Sequence, residues 1–507
     1  MGQTTIVLML ITILSKILGF VRESVMAAYI GAGDLKSIYT TAITVPTFLN
    51  GIVVSAVASG YIPIFNKAKV EESEDAALEF TSNLLNILMV IGALFVLISL
   101  VFAKPISKLF SPGLEGESLI LAINFSRVMT FSIFAFLYAS VIRGYLNIKG
   151  NFFDHILVGP ILNLLIIFST ILTGKLRNPY ILIIGALIAH VFQFIKFPFA
   201  ARKLGFTYKR KLDFKDKYIK LMFILILPII ISSAADQLSL IVDNSMGSAF
   251  FGKESVSKIF YAKTMLGFIT GVVTMTIATV TFPSIAKLGQ EGKINEMKTA
   301  VGSSMVLTML LVIPATLGMM ILANPIIKLA FERNAFTTSD TAIVASLMRS
   351  YAPYIIFVSV IKLFTNAFYA VGESKTPVII ILIQQGINFI LNFILIRFFG
   401  IDGLAFATAI STALGSAMLI WAFYKRFGRV DSKENIQSIL KISISSIIMA
   451  IIAYFMYNTF ITKTGSTLSL LVSVSVSGLV YLIIVYFSKI EEVETFKHSI
   501  SKKLGRK

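Results

Sequence analysis

Long apolar runs recur along almost the whole chain, and each is close to the length of a membrane-spanning helix. A helix needs about 20 mostly apolar residues to cross a hydrocarbon core of roughly 30 Å. The runs predict an all-α integral membrane protein with fourteen transmembrane helices. They lie at residues 4–30, 37–65, 79–103, 118–145, 153–173, 179–201, 219–247, 255–285, 299–323, 341–371, 376–399, 401–424, 438–461 and 466–488.

Composition excludes several functional classes. Of 507 residues none is cysteine and three are histidine, which rules out disulfides and thiolate chemistry and argues against a histidine metal site. The net charge of +19 arises from lysines and arginines in the loops, so it indicates cytoplasmic positive bias and not nucleic-acid binding. The linker 202–220 has the densest run of these basic residues. Both termini are therefore predicted to be cytoplasmic, with no nucleic-acid partner.

The chain repeats itself at an offset of about 220 residues. Gly51-Ile52-Val53 recurs as Gly271-Val272-Val273, and the segment 103–109 recurs as 323–329. The repeat predicts two six-helix lobes of the same, parallel topology. The predicted domains are 1–207 for the N-terminal lobe, 208–430 for the C-terminal lobe, and 431–507 for helices 13 and 14 with a cytoplasmic tail. Parallel repeats with a substrate site between them are typical of alternating-access transporters.

Charged side chains are predicted inside the membrane, where they are costly and usually face a cavity or a partner. Lys16, Arg22 and Glu23 all fall in the first span. At 100° per residue, Lys16 and Glu23 share one stripe of the helix with Gly19 between them, while Arg22 points about 100° away. Further cations fall deep in later spans, at Lys263 and Lys362. A cavity lined by these cations would suit a polyanionic headgroup such as a pyrophosphate.

A second polar group has the residue types of a small-cation site. Asn388 and Asn392 share a helix face in the eleventh span, Thr408 lies in the twelfth, and Asp243 is a candidate acid nearby. Carboxylate, amide and hydroxyl oxygens are ligands for hard cations. Spacing alone favours the alternative, that the Asn and Thr side chains form interhelical hydrogen bonds.

Four ordered segments make the chain resemble the MurJ (MviN) family of lipid II flippases, in the superfamily that also holds MATE drug exporters. They are Ser15–Glu23, Ser111–Leu114, Phe331–Thr337, and Lys362–Phe364 followed by Phe368-Tyr369 and Lys375-Thr376-Pro377. The resemblance implies a two-lobed transporter with a central cationic cavity. It places the family's first-helix arginine at Arg22, followed by the acid Glu23. It also implies a lipid-tail groove at the C-terminal helix pair, and a sodium site on Asp243, Asn388, Asn392 and Thr408.

There are departures from the family pattern. Lys16 stands where the family usually has arginine, which keeps the charge but loses the bidentate fork. In the eighth span Lys263-Thr264 replaces an acid–arginine pattern. The cavity is therefore expected to be less densely charged than in the family's best-known members. This difference affects the prediction of the sugar–peptide part of the cargo more than the prediction that a lipid-linked phosphate is moved.

The resulting hypothesis is a flippase of the bacterial inner membrane. It would move the undecaprenyl-pyrophosphate-linked peptidoglycan precursor, lipid II, from the cytoplasmic to the outer leaflet by alternating access. Partners would be lipid II, membrane lipids and, left open, the cell-wall synthesis machinery; no cofactor is expected beyond a monovalent coupling cation. The alternatives are a flippase for another undecaprenyl-linked polysaccharide unit and a cation-coupled multidrug antiporter. An enzyme is not expected, because the loops are short and no nucleotide-binding loop is present.

Overall fold

The structure, a computed structural model, describes residues 2–151, 153–277, 281–430 and 433–494. Within these ranges the regular structure is helical and no β-strand occurs. The predicted all-α class is therefore confirmed for the described part of the chain. Contacts divide the chain into two compact units. Unit 1 holds residues up to Ser257 together with Arg333–Thr337, and unit 2 holds the remainder.

Unit 1 contains eleven helices among its described residues. They are α1 Gly2–Ile30, α2 Asp34–Glu71, α3 Glu74–Val101, α4 Ala103–Phe110, α5 Gly116–Met129, α6 Ser132–Ile148, α7 Phe153–Ile156, α8 Val158–Leu176, α9 Pro179–Phe192, α10 Lys196–Lys203 and α11 Lys217–Phe251.

The next helix begins at the end of unit 1 and continues into unit 2, which holds the rest. These helices are α12 Ser255–Thr276, α13 Phe282–Gln290, α14 Ile294–Ile321, α15 Ala323–Phe331, α16 Thr338–Tyr351, α17 Tyr354–Ala370, α18 Lys375–Phe399, α19 Asp402–Phe427, α20 Lys433–Thr464 and α21 Ser466–Phe487.

Eleven segments of the described chain are long and apolar enough to cross a membrane. They are Asp34–Val54, Glu74–Val101, Gly116–Ile148, Phe153–Leu176, Pro179–Lys203, Ile294–Ile321, Thr338–Ala370, Lys375–Phe399, Asp402–Phe427, Lys433–Thr462 and Ser466–Phe487. The protein is thus a multi-pass membrane protein. The three other predicted spans fall on α1, on α11, and on α12 with α13, and these helices lie outside this set. Positions 278–280 of the last of these spans lie outside the described residues. The count of fourteen stays a prediction.

Side-chain caps fix where several helices begin. Ser73 accepts a hydrogen bond from the Ala76 N–H at 3.1 Å and so caps α3. Asp216 accepts from the N–H groups of Tyr218 and Ile219 and caps α11. The Lys211 ammonium donates to Asp216 and pairs with Glu79, both at 2.8 Å, and these partners raise the Lys211 pKa. The basic linker is therefore held at the start of α11.

Helix α2 lies at the centre of unit 1 and packs against α3, α5, α6 and α11. Tyr61 is fully buried, and its hydroxyl lies 2.8 Å from Thr81 Oγ1 on α3. Gly144 on α6 faces the Tyr61 ring so closely that an added Cβ would overlap it. Small residues at such contacts let helix backbones approach within a membrane.

Unit 2 has its own core, formed by helices α13, α14, α17, α18, α19, α20 and α21. Phe423 on α19 packs edge-on against Phe364 and Phe368 of α17, with ring centroids 5.2 and 5.6 Å apart. Edge-to-face aromatic pairs of this kind stabilise a core beyond their buried area. Helices α18 and α19 form a closely packed antiparallel pair.

The boundaries of the compact units differ from those of the predicted domains. Helix α11 packs along α2, so contact density places it in unit 1. The predicted domains 1–207, 208–430 and 431–507 follow the sequence repeat, which records ancestry and not contact density. That division stays a prediction.

Candidate functional site

Three charged side chains meet between α1 and α2 and form a buried cluster, which we call the Arg22–Glu23–Lys36 cluster. Glu23 Oε1 accepts hydrogen bonds from Arg22 Nε at 2.9 Å and from a terminal guanidinium nitrogen of Arg22 at 2.6 Å. Glu23 Oε2 accepts one from Lys36 Nζ at 2.9 Å. The side chains of Lys36 and Glu23 are 0% and 3% exposed, whereas that of Arg22 is 24% exposed.

Helix α8 holds the other side of the Arg22 guanidinium. Arg22 donates to Asn163 Oδ1 at 3.1 Å, and the Asn163 amide donates to the Ser15 carbonyl at 3.2 Å. Gly19 lies beside the Asn163 amide. Arg22 is therefore positioned by a carboxylate of its own helix and by an amide of a neighbouring helix. Such positioning lowers the entropy lost when the guanidinium binds a ligand.

The cluster has an excess of positive charge. Two cations share one carboxylate, and each Glu23 oxygen is already engaged. Lys36 is enclosed further by Met26 Sδ at 2.8 Å and by the Tyr39 ring, whose centre is 5.4 Å from Nζ. Away from bulk water the attraction between a cation and an anion is strong. Arg22 is the member with exposed surface, so it is the group that a ligand can reach.

Sequence reasoning placed Arg22 and Glu23 in the site but missed Lys36. Lys36 stands three residues into α2, where loop and interface lysines are common. A usable signal existed, because an acid buried in the first span requires a cation beyond its own neighbour, and Lys36 is the next cation along the chain. Lys16 on α1 has an exposed side chain and is not part of this cluster. The assignment of Lys16 to the substrate site stays a prediction.

The predicted cations of the second half both belong to unit 2. Lys263 on α12 places its Nζ 5.2 Å from the centre of the Tyr351 ring on α16, a cation–π contact. Lys362 on α17 is partly buried. The roles of Lys263 and Lys362 in substrate binding stay predictions.

Three of the four predicted ion ligands lie together. Asn388 Nδ2 donates to Thr408 Oγ1 at 3.3 Å, and Asn392 Nδ2 lies 3.5 Å from Asn388 Oδ1. They form a polar face between α18 and α19, extended by a Gln384–Thr412 hydrogen bond of 3.3 Å. Asp243, the fourth, is fully buried on α11 in unit 1. Across the described residues no group of three or more His, Asp or Glu side chains could hold a metal ion. The four-residue cation site stays a prediction.

A groove of about 550 Å³ opens in unit 2 where α14 and α15 meet α20 and α21. Its lining is almost entirely apolar, and includes Pro314, Gly318, Met319, Met449, Ala453 and Leu482. Glycine and alanine at these positions widen the space between the helices. The C-terminal helix pair therefore forms one wall of a channel that suits a hydrocarbon chain.

The spans, the two compact units and the charge cluster buried between α1 and α2 together define a multi-pass helical membrane protein of the transporter class. The profile of the family described as lipid II flippase MurJ matches residues 26–476. The chain belongs to this family.

Curated relatives align with most of the chain. A probable lipid II flippase MurJ from Buchnera aphidicola subsp. Acyrthosiphon pisum is 27% identical over 497 residues, which cover 93% of this chain and 94% of the relative. A protein of the same description from Vibrio cholerae is 26% identical and covers 82% of each chain.

Solved structures extend the likeness to the fold. A structure titled as lipid II flippase MurJ in an inward closed conformation has a TM-score of 0.81 and 26% identity, and covers 95% of this chain and 98% of its own. An inward-facing multidrug MATE transporter of the MOP superfamily has a TM-score of 0.68 at 16% identity, and covers 81% of this chain and 94% of its own. The second likeness concerns the fold alone.

Proposed function

We propose that this protein flips lipid II, the undecaprenyl-pyrophosphate-linked peptidoglycan precursor, from the cytoplasmic to the outer leaflet. The match to the lipid II flippase family over residues 26–476 carries the proposal. The buried Arg22–Glu23–Lys36 cluster supports it, because its excess positive charge suits a diphosphate.

Each member of the cluster has a distinct role in this proposal. The Arg22 guanidinium, partly exposed, would donate to phosphate oxygens, and a planar fork suits them bidentately. Glu23 fixes the orientation of Arg22, and Lys36 adds positive charge behind it. No covalent bond is made or broken, so the protein acts as a transporter and not as an enzyme.

The lipid chain would stay in a hydrophobic environment while the headgroup crosses. The apolar groove beside α20 and α21 supports this part of the proposal. Rocking of the two repeat-related lobes would expose the headgroup site first to the cytoplasm and then to the other side. Lys16, Lys263 and Lys362 would add positive charge along this path.

The proposed flippase lies in the bacterial inner membrane and uses a sodium gradient. The basic linker 202–220 supports cytoplasmic termini in the bacterial inner membrane. The predicted ligands Asp243, Asn388, Asn392 and Thr408 would bind sodium as the coupling ion. Their amide, hydroxyl and carboxylate oxygens are suitable ligands.

The MATE likeness keeps a cation-coupled antiporter as the alternative from another transport class. An antiporter for cationic drugs needs an acidic binding site, whereas Glu23 is already neutralised by Arg22 and Lys36. A flippase for another undecaprenyl-linked glycan would use the same phosphate chemistry.

Complementation separates these possibilities. We expect the wild-type chain to restore growth and cell shape in a strain depleted of its own lipid II flippase. Failure at normal membrane abundance, together with rescue of a strain lacking a flippase for another undecaprenyl-linked glycan, would reject lipid II as the cargo. Drug resistance without either rescue would support the antiporter.

A further inference from the structure

Unit 1 has a large surface groove that the proposed transport path does not use. It lies between α3, α6 and the α9–α10 region and has a volume of about 920 Å³. Most of its lining is apolar or aromatic, including Met89, Phe131, Phe134, Phe192 and Phe199. Cavities of this size commonly hold small ligands. The exposed rings at its edge, such as Phe199 at 71% exposure, show that it opens at the protein surface.

A break between α9 and α10 shapes the groove. Pro198 has no N–H to donate to the Phe194 carbonyl, which instead accepts from the Phe197 N–H at 2.9 Å. Gln193 Nε2 also donates to the His190 carbonyl at 2.9 Å. The chain therefore tightens into a turn over 193–195, and residues on both sides of this turn form one wall of the groove.

The second repeat lacks this break. At the repeat offset of 223 residues, Pro198 corresponds to Trp421, which can donate its N–H, and α19 is continuous there. Other breaks recur in both halves, at Phe102 and Leu322 and at Thr130–Phe131 and Ala352–Pro353. The α9–α10 break is thus a feature of the first half alone, and the repeated fold does not require it.

One end of the groove is basic. Arg202, at the end of α10, lines the groove, is exposed, and has no carboxylate partner in the described part of the chain. Tyr208 closes the same end and donates to Asn86 Oδ1 at 2.9 Å. Lys203 and Arg210 are exposed nearby in the chain. An anionic group at this end would therefore meet a cation that is not already neutralised.

The chain segment that lines one side of the groove is about as long as one membrane leaflet is thick. From Val191 to Arg202 the chain advances eleven residues, or about 16 Å at 1.5 Å per helical residue. Half of a hydrocarbon core of roughly 30 Å is about 15 Å. A single acyl chain can therefore lie along the aromatic lining while its phosphate reaches Arg202.

We propose that this groove binds one acyl chain of an anionic glycerophospholipid, with the lipid phosphate held by Arg202. The basic linker adjoins this end, so the lipid belongs to the leaflet on the linker's side. An undecaprenyl chain is far longer than one leaflet and does not match the groove. The site is thus distinct from the cargo path, and the proposal does not depend on which cargo the protein moves.

A tryptophan probe can test the site directly, since the chain has one native tryptophan, Trp421. In a Trp421→Phe background, Phe134→Trp places a reporter in the groove. The protein is reconstituted in phosphatidylcholine vesicles with equal small fractions of chain-brominated phosphatidylglycerol or chain-brominated phosphatidylcholine. We expect the anionic lipid to quench the groove reporter more strongly, and Arg202→Gln to abolish this difference.

Matched controls distinguish a site from general lipid contact. Phe168→Trp on α8, at a position 63% exposed, should be quenched equally by both lipids. Lys203→Gln removes a neighbouring cation outside the groove lining and should leave the preference intact. Phe131→Trp, three residues earlier in the same lining, serves as a second reporter if Phe134→Trp does not fold. Equal quenching by the two lipids at the groove, or a preference unchanged by Arg202→Gln, would overturn the proposal.

Discussion

Glu23 is the residue on which the charge cluster depends. Its two oxygens each accept from a different cation, so removing it leaves two positive side chains close together in a buried place. Removing Lys36 instead leaves a neutral Arg22–Glu23 pair. The two substitutions therefore differ in physical consequence, although both delete one charge.

The first prediction concerns stability. Glu23→Gln should destabilise the folded protein by about 3–5 kcal/mol, the usual cost of leaving a buried charge uncompensated. Lys36→Met should cost less, and the double substitution should be more stable than Glu23→Gln alone. The thermal unfolding midpoint of the purified proteins checks this order. A Glu23→Gln midpoint at or above that of Lys36→Met would contradict this account of the cluster.

A second prediction at the scale of residues concerns the orientation of the Arg22 guanidinium. Asn163→Ala removes the amide that accepts from Arg22, while the Arg22–Glu23 pair remains. We expect lower lipid II externalisation at unchanged membrane abundance, because the guanidinium loses one of its two anchors. Asn124→Ala, which removes an exposed amide hydrogen-bonded to Tyr180, is the matched control. Equal externalisation in both variants would show that Asn163 does not position Arg22.

At the scale of helices, the close contact of α2 with α6 makes Gly144 critical. Gly144→Ala should destabilise unit 1 by about 1–3 kcal/mol, because the new methyl overlaps the buried Tyr61 ring. Gly386→Ala on α18 has open space around it and should be neutral or slightly stabilising. Thermal unfolding of both variants provides the comparison. Equal midpoints would mean that α2 and α6 are less closely packed than described.

The polar face between α18 and α19 yields a test of ion coupling. Asn388→Ala removes the amide that donates to Thr408 and should weaken the dependence of lipid II externalisation on sodium. Gln385→Ala, a neighbouring amide outside the predicted ligand set, is the control. An externalisation rate that does not respond to sodium in the wild-type protein would end the idea of a sodium site.

Helix positions were predictable from sequence because apolar length and loop polarity encode them locally. The breaks inside two of the predicted spans were not predictable. The predicted span 118–145 consists of two helices, α5 and α6, and the predicted span 341–371 consists of α16 and α17. Such breaks leave hydropathy unchanged, so an apolar run hides them. Glu23 and Arg22 were predictable because charge inside a span is rare. Lys36 was signalled only indirectly, by the need of Glu23 for a second cation, because its burial is not marked by its own neighbours in the sequence.

At the scale of the whole molecule, the account requires a particular orientation in the membrane. The chain contains no cysteine, so single cysteines can report sidedness without background. Thr207→Cys in the basic linker should be protected from a membrane-impermeant maleimide in intact cells, whereas Glu115→Cys should react. The reverse pattern would contradict the cytoplasmic assignment of both termini.

The central claim is that the buried cations of the first two helices hold the diphosphate of a lipid-linked precursor during its transfer. Measurement of the fraction of lipid II accessible at the outer surface of cells that depend on this protein tests it most directly. With Arg22→Ala we predict that externalised lipid II falls to the level of the flippase-depleted strain, while Arg127→Ala, which removes an exposed arginine of another span, leaves it normal. Normal externalisation with Arg22→Ala at wild-type abundance would contradict the account.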